Sequence, residues 1–469
     1  MSGPMFPGLT LAYWLTLHGL VTIVAVMFYA VTAHLLQQRR HPTAAIAWVL
    51  FILLIPYLAL PSFLIFGSRK QARPRNRPLQ NPPETDGEGP WAIQTALALG
   101  QPEPQPYERL QIHADGRAAL AALWAVIDGA QRSIDLCTFI IGRDRVGYGL
   151  VEHLVAKARA GVKVRLMLDG LGSLMSRRPD LLPLTAAGVE FVRFVPPLHS
   201  PLRGRTNLRD HRKLLIADAG LPGQRLWCGG RNLAGEYFEG RRGQAPWHDL
   251  TFDLGGPFVG QASTLFEHDW AFGKSGTKLL EIDAPEAQPV SPHGAQLIAS
   301  GPDQADDTVY SLLLTAAYRA RRRIALITPY FVPDSALLLA LCIAARRGVE
   351  VELLLPARSN HRMSDVARRR ALRTLAAAGA RVWTVPHMLH AKLAVIDTTL
   401  ALAGSANLDS RSLFLNYELM VAFHDREAID RFAAWFDKER ATAVRLEPAP
   451  AGLVQDVAEG LVLWTGFQL

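Results

Sequence analysis

His211-Arg212-Lys213-Leu214-Leu215-Ile216-Ala217-Asp218 and His390-Ala391-Lys392-Leu393-Ala394-Val395-Ile396-Asp397 are the two stretches on which the fold turns. Both read HxKxxxxD. Both are followed by a second shared pattern, G-[GS]-x-N, as Gly229-Gly230-Arg231-Asn232 and Gly404-Ser405-Ala406-Asn407. One such octet arises by chance in roughly 1% of sequences of this composition, and two at matching points of a repeat in about one in ten thousand. The lysines sharpen the signal, because the chain uses 42 Arg and only 8 Lys, yet each motif carries a Lys.

The repeat extends outward from the motifs. Ala158-Arg159-Ala160-Gly161-Val162-Lys163-Val164-Arg165-Leu166 matches Ala345-Arg346-Arg347-Gly348-Val349-Glu350-Val351-Glu352-Leu353, a helix end, a Gly stop and an alternating strand in each copy. Further upstream, Arg132-Ser133-Ile134-Asp135-Leu136 matches Arg322-Arg323-Ile324-Ala325-Leu326 in kind. Downstream, Ala186-Ala187-Gly188-Val189 matches Ala377-Ala378-Gly379-Ala380. Strands alternating with helices at this rhythm predict an α/β protein of two pseudo-symmetric halves, with mixed or parallel sheets flanked by helices. The expected segments are a hairpin over 1–70, a linker over 71–106, halves over 107–285 and 286–445, and a tail over 446–469.

The motif spacing carries chemistry. The run after each Lys is short and apolar, so it reads as a buried strand. His and Lys at i and i+2 then share a face, while the Asp, seven residues from the His, faces away and reads as structural. The candidate catalytic motif residues are His211, Lys213 and Asp218 with His390, Lys392 and Asp397, the two Asp in a supporting role. The G-[GS]-x-N segments offer backbone N–H groups, a hydroxyl and amides to an anion, which makes Gly230, Asn232, Ser405 and Asn407 candidate phosphate ligands. Two imidazoles and two ammonium groups converging on one small site describe phosphoryl chemistry with no metal and no cofactor. One imidazole attacks phosphorus to form a phosphohistidine, and the other serves as acid and then base. Lysines and asparagines stabilise the equatorial oxygens. Cys137, Cys228 and Cys342 are odd in number, far apart and set in apolar runs, so they read as core residues rather than disulfides or zinc ligands.

The net charge of +8 over 469 residues is not spread evenly. Residues 1–83 contain no Asp or Glu and hold Arg39, Arg40, Arg69, Lys70, Arg73, Arg75 and Arg77, which leaves the remainder at +1. A near-neutral body argues against a nucleic-acid partner. Leu9 to Leu36 and Ala44 to Phe66 are two uncharged apolar runs. The second, at about 1.5 Å per residue, reaches roughly 34 Å, enough for a hydrocarbon core of about 30 Å. The short loop Gln37 to Pro42 makes them a two-span hairpin. Two bases flank the loop, but five follow the second run within about ten residues, and this bias places the C-terminal part in the cytoplasm. A cleaved signal peptide is disfavoured, since no charged n-region precedes the first run and a second run follows at once. The prolines between Gln71 and Pro106 suggest a semi-extended tether.

At these residues the chain resembles the phospholipase D superfamily through its duplicated HxKxxxxD and G-[GS]-x-N motifs. It is most similar to the bacterial cardiolipin synthases, through Trp247-His248-Asp249, Thr328-Pro329-Tyr330-Phe331-Val332-Pro333-Asp334, Asn407-Leu408-Asp409-Ser410-Arg411-Ser412 and Asn416-Tyr417-Glu418, over about residues 9–440. The resemblance implies two phospholipase D-like halves and an acid beyond the Asn that orients the catalytic His. Glu418 is expected to serve His390, and Asp249 to serve His211. His211 is the expected nucleophile and His390 the acid/base, an order that pseudo-symmetry leaves open. The implied reaction is phosphatidyl transfer between two phosphatidylglycerol molecules at the bacterial inner membrane, giving cardiolipin and glycerol. Hydrolysis of the same lipid and nuclease action are the alternatives, and phosphatidylethanolamine remains open as second substrate. The tail ends in Trp464-Thr465-Gly466-Phe467-Gln468-Leu469, which departs from the usual synthase ending and is expected to pack on the body.

Overall fold

The four-residue strand behind each motif lysine is the inner strand of a sheet. A computed structural model describes residues 11–35, 42–66, 91–175, 178–195, 207–241, 243–275, 291–304, 306–447 and 449–464. The loop at 37–41, the proline-rich stretch at 71–90 and Phe467 lie outside them. The first half contributes β1 (Glu108–Ile112), β2 (Ser133–Thr138), β3 (Lys163–Asp169), β4 (Glu190–Phe194), β5 (Arg209–Asp210), β6 (Leu214–Ala217), β7 (Arg225–Gly229) and β8 (Thr251–Gly255). The second contributes β9 (Ala295–Ser300), β10 (Arg323–Ile327), β11 (Phe331–Val332), β12 (Glu350–Pro356), β13 (Arg381–Val385), β14 (Leu393–Ile396), β15 (Leu400–Gly404), β16 (Leu408–Asp409), β17 (Asn416–Phe423) and β18 (Val444–Arg445).

The sheet order is β1-β8-β7-β6-β2-β3-β4 in the first half and β18-β13-β12-β10-β14-β15-β17 in the second, with β9 also paired to β17. Read from β9 as β9-β17-β15-β14-β10-β12-β13, the second order matches the first, and β18 is an added edge strand. β2, β3 and β4 are parallel, as are β10, β12 and β13. The motif strands β6 and β14 run antiparallel to β2 and β10. The sheets are therefore mixed. The βαβ rhythm holds only for β2-β3-β4 and β10-β12-β13, where helices supply the crossovers. Gly161 and Gly348, matched in sequence, both sit at positive φ (88° and 89°) where the chain leaves a helix for the next strand. Helices cover the apolar sheet faces. Leu123, Leu150 and Leu154 pack on Leu136 and Leu166 in one half, and Leu312, Leu341 and Leu375 on Leu326 and Leu353 in the other. All three cysteines are buried free thiols.

One sequence expectation is corrected in this body, and one about the tail is met. The tether expected over 71–106 has given way to folded chain by Trp91. Helix Trp91–Ala98 buries Ala92 and Ala96 in the second half's core, the Gln101 side-chain oxygen accepts from Ala299 N (2.8 Å), and Gln105 N donates to Ala295 O (2.8 Å). The tail contains helix Leu453–Trp464, tied to the helix Arg362–Ala377 through Arg373, which reaches Asp456 (3.3 Å) and Glu459 (2.5 Å).

The N-terminal helices form a separate unit. Helix Leu11–Leu35 contains Tyr13–Val31, 19 residues long and apolar enough to cross a membrane. Leu15, Leu20, Ile23 and Met27 are exposed along it. The second apolar run differs from the straight span expected over 44–66. It breaks at Ile55 into helices Pro42–Leu54 and Pro56–Phe66. Pro56 has no N–H to donate, and its ring crowds the carbonyl four residues back. The pieces are 13 and 11 residues, so neither alone reaches the roughly 30 Å of a hydrocarbon core. Ala25, Tyr29, Ile52, Ala59 and Phe63 join the runs in one small core, with Tyr29 and Phe63 edge to face at 5.1 Å.

Candidate active site

Each motif histidine lies just before its buried strand, and a strand from the other half fixes its surroundings. β5 pairs in parallel with β17, aligning Asp210 with Tyr417, and His211 N donates to Tyr417 O (2.9 Å). The next residue after Tyr417 is Glu418, and its Oε2 lies 3.0 Å from His211 Nδ1. The second site repeats the construction. His248 pairs in parallel with Leu389, His390 N donates to His248 O (2.6 Å), and the following residue, Asp249, puts Oδ2 2.7 Å from His390 Nδ1. The acids are thus exchanged between halves. This corrects the expected pairing of Glu418 with His390 and Asp249 with His211, because the strand that carries each acid pairs with the segment leading into the opposite histidine.

The lysines lie beside the rings as the i, i+2 spacing requires. Lys213 Nζ donates to His211 O (2.6 Å) and Lys392 Nζ to His390 O (2.5 Å). Lys392 Nζ also sits 2.8 Å from His390 Nδ1 and 3.1 Å from Nε2. Burial lowers both ammonium groups, Lys213 to about 8 and Lys392 to about 7, and the Lys213 charge adds to the effect on Lys392. Burial followed by the Lys392 charge lowers His390 to about 3. His211 is lowered by burial against the opposing pull of Glu418. Burial pushes the Asp249 and Glu418 carboxyls up, but their histidines and the lysines outweigh it and both end below their ordinary values. The resting site therefore holds two carboxylates and two imidazoles biased to the neutral form, beside two amines poised near neutrality.

Asp218 and Asp397 leave the candidate catalytic set. Both sit at positive φ (54° and 49°), on the far side of the motif strand from the lysine. Asp218 accepts from the backbone N–H of Gln131 (2.8 Å), Arg132 (2.6 Å) and Ser133 (3.0 Å). Asp397 accepts from those of Arg321 (2.8 Å), Arg322 (2.8 Å) and Arg323 (2.7 Å). Each carboxylate closes the start of the central strand. Five residues of extended chain put it roughly 16 Å from the lysine position.

Gly230 and Ser405 also change role. A Cβ on Gly230 would lie 2.3 Å from Asp249 Oδ1, so the absence of a side chain there lets the acid approach. Ser405 Oγ donates to Glu418 Oε2 (2.5 Å) and accepts from Leu419 N (2.9 Å), which commits the hydroxyl. The [GS] position thus serves the acid of its own half rather than a phosphate oxygen. Asn232 and Asn407 are buried, and the Oδ1 of each has no hydrogen-bond partner among the described residues. Asn232 Nδ2 donates to Tyr237 OH (2.8 Å).

Several neighbours were not among the candidate residues. Tyr237 meets the His390 ring edge to face at 5.2 Å, and Trp247 lies 5.7 Å from it. Phe139 packs on His211 at 5.2 Å, and Asn416 Nδ2 donates to Glu418 Oε1 (3.2 Å). Arg212, fully buried between the motif residues, donates through Nη1 to both oxygens of Asp269, through Nε to Glu418 O (3.1 Å) and through Nη2 to Ser300 O (3.2 Å), locking the acid's strand to the first half. Of these, Arg212 lies inside the first motif, and Trp247 and Asn416 each stand two residues before an acid.

With this geometry established, comparison with known proteins is informative. The profile of the family described as cardiolipin synthase, PLD-like domain matches residues 123–270 and again 313–440. The chain belongs to this family. The two matches coincide with the two sheets, and membership makes the chain an enzyme of phosphatidyltransferase type. A phospholipase D-nuclease N-terminal profile matches residues 22–68. Cardiolipin synthase A of Pseudomonas putida W619 is 30% identical over 451 residues, covering 92% of each chain. Cardiolipin synthase 1 of Bacillus cereus is 29% identical over 451 residues, covering 89% of this chain and 86% of its own. Among solved structures, phosphatidylserine synthase of Haemophilus influenzae superposes with a TM-score of 0.60 at 11% identity, covering 81% of this chain and all of that one, which shows a shared fold.

Proposed function

We propose that the enzyme is a cardiolipin synthase that transfers a phosphatidyl group from one phosphatidylglycerol to another through a phosphohistidine. The observation that carries this reading is the exchanged pair of His–acid contacts, with a lysine at each ring. It presents two imidazoles on Nε2 while their Nδ1 atoms face carboxylates. His211 Nε2 attacks the donor phosphorus as the bond to the glycerol oxygen breaks. His390, protonated once the anionic phosphodiester has offset the lysine charges, gives its proton to that oxygen, and glycerol leaves. A headgroup hydroxyl of the second phosphatidylglycerol then passes its proton to His390 and attacks phosphorus. The P–N bond breaks and cardiolipin is released. Glu418 and Asp249 steady whichever ring carries positive charge. Lys213, Lys392, Asn232 and Asn407 hold the equatorial oxygens.

Both substrates live in a bilayer, which the apolar N-terminal helices suit. In this reading the kinked second run crosses with the first as a hairpin, and the basic residues after it hold the catalytic body on the cytoplasmic side of the inner membrane. Mass spectrometry of lipids formed by the purified enzyme from labelled phosphatidylglycerol is the test. Cardiolipin and free glycerol in equal amounts are expected. Phosphatidic acid as the sole lipid product would assign the site to hydrolysis.

A further inference from the structure

A second cluster of ionisable side chains lies beside the active site and takes no part in the chemistry above. His248 immediately precedes Asp249, His387 follows β13, and Glu439 lies near the end of helix Arg426–Arg440. Glu439 Oε2 is 3.0 Å from His248 Nδ1 and 3.6 Å from His387 Nε2, and the three donor atoms all lie within 4.8 Å of one another. The Glu439 side chain is 7% exposed, and among the described residues only these two imidazoles form ion pairs with it. Hydrogen bonding leaves the cluster unfinished, because His387 Nε2 is buried without a hydrogen-bond partner among the described residues. Among the described residues no Arg or Lys forms an ion pair with the carboxylate.

We propose that His248, His387 and Glu439 form a binding site for a transition-metal dication, with Zn2+ the best match. Two imidazoles and one carboxylate are the donor set of an open tetrahedral zinc site. At zinc–ligand distances of about 2.1 Å the donors of such a site stand about 3.4 Å apart, which the 3.0 and 3.6 Å contacts bracket. The two rings are stacked at 3.8 Å, and because each lone pair lies in its ring plane, joint ligation requires one ring to turn out of the stack. The His248 side chain is 45% exposed, which opens a path for the ion and a fourth position for water. Hard, oxygen-seeking Mg2+ and Ca2+ do not suit this donor set.

The position gives the ion a consequence. His248 belongs to the first half, and His387 and Glu439 to the second. The main chain of His248 already bridges them, donating to Met388 O (2.9 Å) and accepting from His390 N (2.6 Å). A cation here clamps the segment bearing Asp249 to the segment bearing His390, making His248, His387 and Glu439 positioning residues for that contact.

The test uses the full-length, tag-free protein in detergent, stripped with chelator and titrated with Zn2+ alone. About one Zn2+ per chain is expected by elemental analysis, with a melting temperature that rises with Zn2+ concentration. His387→Ala and Glu439→Gln are each expected to weaken binding tenfold or more and abolish the thermal shift, while His211→Ala keeps both. The half-exposed His248→Ala serves if Glu439→Gln does not fold. No Zn2+ bound at micromolar concentration, or equal binding by wild type, His387→Ala and His248→Ala, overturns the proposal. The readout is metal binding, so failure of the phosphatidyl-transfer reading leaves it standing.

Discussion

The two halves carry the same motif and use it in the same way at one end and by exchange at the other. At the aspartate end they are superposable in role. Asp218 and Asp397 each turn at positive φ and gather three backbone N–H groups from their own half. At the histidine end neither half is sufficient. His211 depends on Glu418 and His390 on Asp249, partners 207 and 141 residues away. The supports differ too. Glu418 is held by the Ser405 hydroxyl and the Asn416 amide, whereas Asp249 is admitted by the bare Cα of Gly230. Duplication thus conserved the scaffold within each half and placed the chemistry across the boundary.

The largest effects should come from the rings themselves. His211→Ala and His390→Ala are each expected to lower kcat by on the order of 10^4-fold or more, since residues acting as one unit fail together. Trapping the intermediate separates them. With labelled phosphatidylglycerol, His390→Gln should still accumulate some labelled protein and His211→Gln none, and the reverse result would exchange the roles. Next come the supports. Gly230→Ala pushes a methyl into Asp249 and should act on His390, the histidine of the other copy. Ser405→Ala frees one oxygen of Glu418 and should act on His211. Losses of roughly 10- to 100-fold in kcat with little change in melting temperature are expected from partners of this kind. Equal, large drops in melting temperature would instead make both residues structural.

The smallest effect is the pH dependence. Lys392 titrates at about 7 and Lys213 at about 8 in the free enzyme. Both are charged at pH 6 and both are losing their proton by pH 8. Phosphate binding needs that charge, so kcat/KM should fall as pH rises through 7 to 8, by at most about tenfold per unit for each group. A profile flat to pH 10 would contradict the burial of the two amines.

Much of this was legible in the sequence for physical reasons. Period-2 alternation and glycine stops mark strands and helix ends locally, so the repeat, the parallel β2-β3-β4 and β10-β12-β13 cores and the inward position of His and Lys could be read directly. The odd offset of Asp218 and Asp397 already set them apart from the chemistry. The exchange of acids could not be read, because it depends on β5 pairing with β17 and His248 with Leu389, and strand pairing over such separations leaves no local pattern. Ser405 and Gly230 were assigned to phosphate for the same reason, since their neighbours Glu418 and Asp249 become visible only in three dimensions. The folded start at Trp91 was hidden by the prolines around it, which report backbone restriction and not burial.

Histidine ring NMR tests the exchange most directly. In protein labelled with 15N-histidine, with His211 and His390 assigned through their Gln variants, the Nδ1 and Nε2 resonances report the partner of each ring. Glu418→Gln should shift the His211 signals and leave those of His390 near their wild-type positions, and Asp249→Asn should do the opposite. Shifts confined to His390 in Glu418→Gln and to His211 in Asp249→Asn would show that each half pairs its own histidine and acid, and would contradict the account.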